Sequence, residues 1–221
     1  MPEDLPTPAT ALYRLGRKPS AASWPEPEWT GTGRFDDVPE DPLLYHRTNP
    51  RYRVLYAGER LACSFEKLAP FRPERGAAVR RPITISWIRD RRVCKFRIRD
   101  PEQRLRWLDL RSPATYADFR VRFESHLRNF GFSDFDLAAA TSESRGFTRP
   151  IGGWAFEQGY QGIRYATRHT PDLDCWAIFS GIDLDIEEDR PIAIDDVDLR
   201  RVATAWSIPL PAATPRGGSV P

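Results

Sequence analysis

Lysine is nearly missing from this chain. Of 33 basic residues only Lys18, Lys67 and Lys95 are lysine; the rest are arginine. A GC-rich coding bias is one reading of that skew. The other is that some of these planar, five-donor forks hold phosphate or carboxylate. Cysteine is just as scarce: Cys63, Cys94 and Cys175 are odd in number and far apart, with no Cys-x-x-Cys or Cys/His pair. That excludes a zinc-ligand set and a disulfide framework, and it fits a reducing cytoplasm. With only His46, His126 and His169, no Ser–His–Asp or Cys–His set can be assembled. No run approaches the 18 apolar residues or so of a membrane span, and Met1–Thr10 lacks the apolar segment of a signal peptide. The phosphate-loop pattern GxxxxGK[ST], the dinucleotide pattern GxGxxG and the nucleophile elbow GxSxG are all absent.

What remains is a globular composition. The 221 residues are 40% hydrophobic and 29% charged, enough for one domain with dressed ends. The net charge of +2 excludes a generic polyanion binder. Charge is nonetheless segregated. Residues 80–111 hold eleven Lys/Arg against four acids, whereas 183–198 hold eight acids against one Arg. Either the two runs face each other or solvent, or the basic run is a nucleic-acid groove. Trp87, Phe96 and Trp107 interleave with it but read better as core.

Periodicity gives an α+β order: a single domain of mixed short strands and a few helices. Residues 1–10 and 207–221 read as flexible tails, the second proline-rich. Strands are expected at Tyr52–Ala57, around Ile83–Trp87, at Cys94–Ile98, Ile163–Ala166, Cys175–Ser180 and Ile192–Ile194, with a turn at 90–92. Residues 18–50 read as one long loop. Tyr116, Phe119, Phe123, Leu127 and Phe130 form one helical stripe, capped by Ser112 or Thr115 and ended at Gly131. A helix is expected from Thr148 to Gln158, and Val197–Trp206 is ambiguous. His126 reads as a surface or packing residue. His169 either approaches a site or sits in a solvated turn.

The informative stretch is a strand ending at Tyr56 followed at once by a helix over Glu59–Ala69, stopped by Pro70. Glu59, Ala62, Cys63 and Glu66 share one side of it; Leu61, Phe65 and Leu68 share the other. Glu66 is thus either a solvent-facing glutamate or a carboxylate with space for a ligand beside it.

Several blocks of this sequence are similar to the RES domain family. They are Leu12-Tyr13-Arg14, Gly33-Arg34-Phe35-Asp36-Asp37 and Val54-Leu55-Tyr56 through Phe65-Glu66. Phe147-Thr148-Arg149-Pro150-Ile151, the run Gly159 to Arg168 and Cys175-Trp176-Ala177-Ile178-Phe179 complete them. The resemblance spans roughly 11–185 and assigns a catalytic domain to 11–206. It implies an ADP-ribosyltransferase-like fold and an enzyme that degrades NAD⁺ by hydrolysis or phosphorolysis. NAD⁺ is then substrate, with no resident cofactor and no metal. Many family members are toxins paired with a separately encoded antitoxin; a homo-oligomer is also compatible.

The resemblance implies Glu66, Arg34 and Thr167 as catalytic residues, with Thr167 standing where the family has serine. Arg14, Tyr56 and Arg168 are implied as substrate-binding. The chemistry is consistent with these types. Guanidinium forks grip phosphates, and Tyr56 can stack on a ring or bond a hydroxyl. Nicotinamide leaves a cation as a neutral molecule, so one carboxylate suffices where sugar hydrolysis needs two. Two other readings stand beside this one: a weakened RES module that binds a nucleotide or protein partner, and a nucleic-acid-binding domain.

Overall fold

Alternating apolar residues build one mixed sheet. The computed structural model of the chain describes residues 1–26, 33–37, 50–60, 63, 67–72, 82–167 and 169–211. Among these, eight strands pair: β1 (Asp4–Leu5), β2 (Leu12–Arg17), β3 (Val54–Gly58), β4 (Arg91–Ile98), β5 (Trp107–Asp109), β6 (Gly162–Thr167), β7 (Thr170–Phe179) and β8 (Leu184–Pro191). Their order is β1-β5-β6-β7-β3-β2-β4-β8. The β5–β6 pair is parallel and the others antiparallel. Six helices have both ends described: α1 (Ile85–Arg89), α2 (Pro113–Arg122), α3 (Glu124–Asn129), α4 (Leu137–Ala140), α5 (Arg145–Glu157) and α6 (Val197–Ala205). The α+β single domain expected from periodicity is the fold observed.

A parallel pair cannot be closed by a tight turn. The chain from β5 to β6 therefore crosses over through α2 to α5. These pack Phe119, Leu127, Phe147 and Ile151 onto Ile163, Cys175, Ala177 and Phe179. Trp176 and Ile178, one residue out of phase, face the other side with Leu55, Ala57 and Phe96. A third cluster joins Leu15 and Leu68 to Ile83, Ile88, Leu199 and Val202.

Several elements differ from the sequence reading. Ile83–Trp87 is no strand. The Thr84 hydroxyl accepts the Trp87 amide at 3.1 Å and caps α1, so the alternation there is coincidental. Asp90 forms the turn and Arg91 already belongs to β4. The aromatic stripe is broken at Phe123 into α2 and α3; Ser112 is its cap, accepting the Ala114 amide. The later helix starts at Arg145, three residues before the expected Thr148. Gly131 and Gly159 follow their helices at φ +75° and +77°, which few other residues tolerate. Val197–Ala205 is helical, capped by Asp196.

The strand expected at Ile192–Ile194 lies earlier, at Leu184–Pro191. Its apolar residues are few, with Leu184 opposite Ile98 and Ile186 opposite Phe96, and most of its side chains are charged. Arg92 meets Asp189 at 2.7 Å, Lys95 and Arg97 meet Glu187 at 2.6 Å each, and Arg99 meets Asp185 at 2.6 Å. The basic and acidic runs face each other across β4 and β8, which neutralises much of the stripe a nucleic acid would need.

The first ten residues, expected as a free tail, instead add the edge strand β1. Glu3 donates its amide to Thr115 and Tyr160 donates to Asp4. At the other end Ile208 is buried, and Pro209 accepts the Ile83 amide; residues 212–221 lie outside the described residues.

Phe119 sits at the centre of the helical face, fully buried, with T-shaped contacts to Phe123, Phe135 and Trp154 at 5.0 to 5.1 Å. Phe119→Ala should cost about 3–5 kcal/mol in urea unfolding. A loss under about 1 kcal/mol would show that the α2–α5 layer does not hold the sheet.

Candidate active site

The sheet opens between β2 and β3. These strands share a single residue pair, Tyr13 with Gly58, while β3 continues its ladder with β7 over five pairs. At this opening lies a cavity of about 460 Å³, bordered by Leu15 of β2 and by Tyr56 and Ala57 of β3. The parted strands are stitched by a side chain: Arg14 Nη1 donates to the Tyr56 carbonyl at 3.2 Å. Burial pushes the Arg14 guanidinium pKa down. Its Nε is buried with no hydrogen-bond partner.

The helix expected after Tyr56 is present at Arg60, Cys63, Lys67 and Leu68. Its start is pinned to β7. Glu59 donates its amide to the Asp174 carbonyl, and its carboxylate accepts the Asp174 amide, both at 3.0 Å. The Cys63 thiol donates to the Tyr13 carbonyl, tying the helix to β2 as well. Leu68 is fully buried, whereas Cys63 and Lys67, four residues apart, both line the cavity.

Arg34 enters from the 33–37 segment, which Tyr56 organises. The Tyr56 hydroxyl accepts the Phe35 amide and donates to Asp36 Oδ1, each at 2.8 Å. Asp36 Oδ2 accepts the Gly33 amide at 2.6 Å. A Cβ at Gly33 would run into that hydroxyl, so only glycine allows the approach. Burial first, and Asp36 second, hold the Tyr56 phenol well above its usual pKa, so it stays a neutral donor. Thr148 donates to the Arg34 carbonyl at 2.6 Å. The Arg34 guanidinium donates to the Ala140 carbonyl at 2.5 Å and lies 5.3 Å from the Tyr165 ring centre. Its Nε is buried with no hydrogen-bond partner.

Thr167 ends β6 beside a register irregularity after Ala166. It is fully buried, and its hydroxyl accepts the His169 amide at 3.1 Å. Such an irregularity re-aims a side chain at a strand end.

Arg34, Tyr56 and Thr167 thus border one cavity, and Arg14 lies against it. Glu66, Arg168 and His46 lie outside the described residues. The Tyr56 hydroxyl is engaged by the 33–37 segment and so fixes the loop that carries Arg34. His126 packs on Phe147, with ring centres 5.1 Å apart. His169 lines the cavity, as does Tyr165, which alternation from Thr167 places on the same face of β6. Lys67 escaped the sequence reading; its rarity was the signal. Among the described residues no cluster of three His, Cys, Asp or Glu is arranged to hold a metal, and no helix is long and apolar enough to cross a membrane.

The RES domain sequence model matches residues 11–201. The chain belongs to the RES domain family. Comparison with curated proteins finds no match. Among solved structures, this RES chain is similar to a chain of the M. tuberculosis MbcT–MbcA toxin–antitoxin complex, at 13% identity and a TM-score of 0.54. The match covers 86% of this chain and 87% of that one. At that identity the likeness concerns the fold.

Two measurements test the site. Tyr56→Phe strands the Phe35 amide and an oxygen of Asp36, at a cost of about 1–3 kcal/mol. It should also weaken binding of an anionic ligand through Arg34; unchanged stability and unchanged binding together would show that the Tyr56 hydroxyl organises nothing. At Thr167, serine keeps the hydroxyl and valine keeps the shape. Thr167→Ser should stay within about tenfold of the parent and Thr167→Val should lose far more. Equal performance of Val and Thr makes residue 167 packing only.

Proposed function

We propose that this RES domain degrades NAD⁺ by cleaving its nicotinamide–ribose bond, with phosphate or water as acceptor, and that it is the toxin of a toxin–antitoxin pair. The observation that carries the reading is the convergence of Arg34, Tyr56 and Thr167, each at a family motif position, on one cavity rich in positive charge. The fold shared with a chain of a toxin–antitoxin complex is in keeping with its second part.

The chemistry asks little of acid catalysis. The C1′–N bond breaks with its electron pair going to the ring nitrogen, which neutralises the pyridinium, and no proton is needed. What needs stabilising is the cation left on the ribose, and Glu66 carries the charge for that. Arg34 and Arg14 meet the diphosphate, held by carbonyls and aromatic faces so that their charge is not already spent on a protein carboxylate. Thr167 supplies a hydroxyl in the position of the family's serine.

Incubation of the purified chain with NAD⁺, with and without inorganic phosphate, should release nicotinamide. A requirement for phosphate assigns phosphorolysis; release without it assigns hydrolysis. No nicotinamide under either condition sinks the reading. Glu66→Gln keeps the shape and removes the charge, so turnover should fall about 10²-fold or more with affinity little changed. A folded Glu66→Gln protein of full activity would remove Glu66 from the mechanism.

A further inference from the structure

Most half-buried arginines of the sheet have a carboxylate partner. Arg92 meets Asp189, Arg111 meets Asp174, and Arg164 meets both Asp109 and Asp174. The cations around the cavity break that pattern. Among the described residues Arg14 has only the Tyr56 carbonyl, and Arg34 only the Ala140 carbonyl and two aromatic rings. Lys67 borders the same cavity with neither an ion pair nor a hydrogen bond to a described residue. Among the described residues, three cations around one cavity are without a carboxylate partner, an arrangement suited to an external anion.

We propose that Lys67 is a phosphoryl-oxygen ligand, a third cation acting with Arg14 and Arg34 on the anionic group of the substrate. The proposal deepens the reading above and rests on it only for the choice of a dinucleotide fragment as probe. Lysine brings something the arginines lack. Its ammonium is a compact point charge with three rotatable donors, able to follow an oxygen that a rigid fork cannot, and it can titrate near neutrality.

The surroundings of Lys67 make that titration relevant. Arg14 and Arg17 face it from β2, Arg91 from β4 and Cys63 from its own helix. The cavity wall also holds Arg34, Arg145, His169 and one described carboxylate, Glu143. Lys67 is a solvent-exposed residue that borders this cavity. Desolvation by the surrounding protein first, then Arg14, Arg91 and Arg17, push its ammonium down to about 8, with Cys63 opposing. The side chain passes from about nine-tenths to about one-tenth protonated between pH 7 and pH 9. Anion affinity should fall over that interval.

The test uses two probes that undergo no reaction: sulfate, whose charge is constant between pH 7 and 9, and ADP-ribose, which carries the diphosphate without the pyridinium. Binding is measured by calorimetry on the full chain, with circular dichroism to confirm the fold. In the parent, affinity should drop about tenfold from pH 7 to pH 9. Lys67→Gln should bind about tenfold more weakly at pH 7 and show a flat pH profile; Lys67→Arg should restore affinity and keep the profile flat. Loss of sulfate binding alone assigns Lys67 to a free oxyanion. Loss of ADP-ribose binding alone assigns it to the diphosphate. A Lys67→Gln protein that binds both probes like the parent, or a parent that binds neither, overturns the proposal. If Lys67-dependent binding is present but the parent releases no nicotinamide from NAD⁺, the NAD⁺-degrading reading falls and the anion ligand stands.

Discussion

The sheet parts between β2 and β3, and the architecture of the site follows from that parting. Strands normally satisfy each other's carbonyls and amides along their whole length. Here the ladder is reduced to one pair, Tyr13 with Gly58, and the space between the strands is the cavity. A carbonyl exposed at such an opening needs a donor, and Arg14 supplies one to Tyr56. The same residue that closes the hydrogen-bond account of the backbone brings a positive charge to the cavity edge. One side chain thus both completes the sheet and sets the charge at the cavity edge.

The site is built to hold charge in place without cancelling it. A guanidinium paired to a carboxylate is stable but has little field left for a ligand. Arg34 is fixed instead by a carbonyl and by the faces of Tyr165 and Phe35, neutral partners that orient the fork and leave its charge available. The loop that carries it is locked in turn by the Tyr56–Asp36–Gly33 hydrogen bonds. Leaving the buried Nε atoms of Arg14 and Arg34 unpartnered costs stability, a cost in keeping with a site that functions when an anion arrives.

Much of this was legible in the sequence where apolar period and motif agreed. Cys94, Phe96 and Ile98 alternate and are buried together in β4; the strand–helix block at Val54–Leu68 begins where the pattern places it. Reading failed where polar chemistry determined the structure. Thr84 caps α1 where alternation suggested a strand, and the short Leu184–Ile186 alternation of β8 is set among acids that pair with β4. The motif residues Arg34, Tyr56 and Thr167 border one cavity, and no sequence pattern tells that the Tyr56 hydroxyl bonds the 33–37 loop. Lys67 lies four residues after Cys63 on the same helix, and the rarity of lysine in the chain is what singles it out.

The ladder of ion pairs between β4 and β8 has a consequence for how far the protein can be sensed electrically. Eleven basic residues in one stretch would project a broad positive potential, drawing any polyanion to the flank of the sheet. With Asp185, Glu187 and Asp189 laid along Arg92, Lys95, Arg97 and Arg99, that part of the flank becomes a set of short dipoles whose field falls off quickly. Salt at physiological strength screens what is left over about 8 Å. The uncompensated charge at the seam is then felt only by molecules already at the mouth of the cavity. The open charge of this surface is thus local to the cavity mouth, and the paired flank offers a long polyanion little to hold.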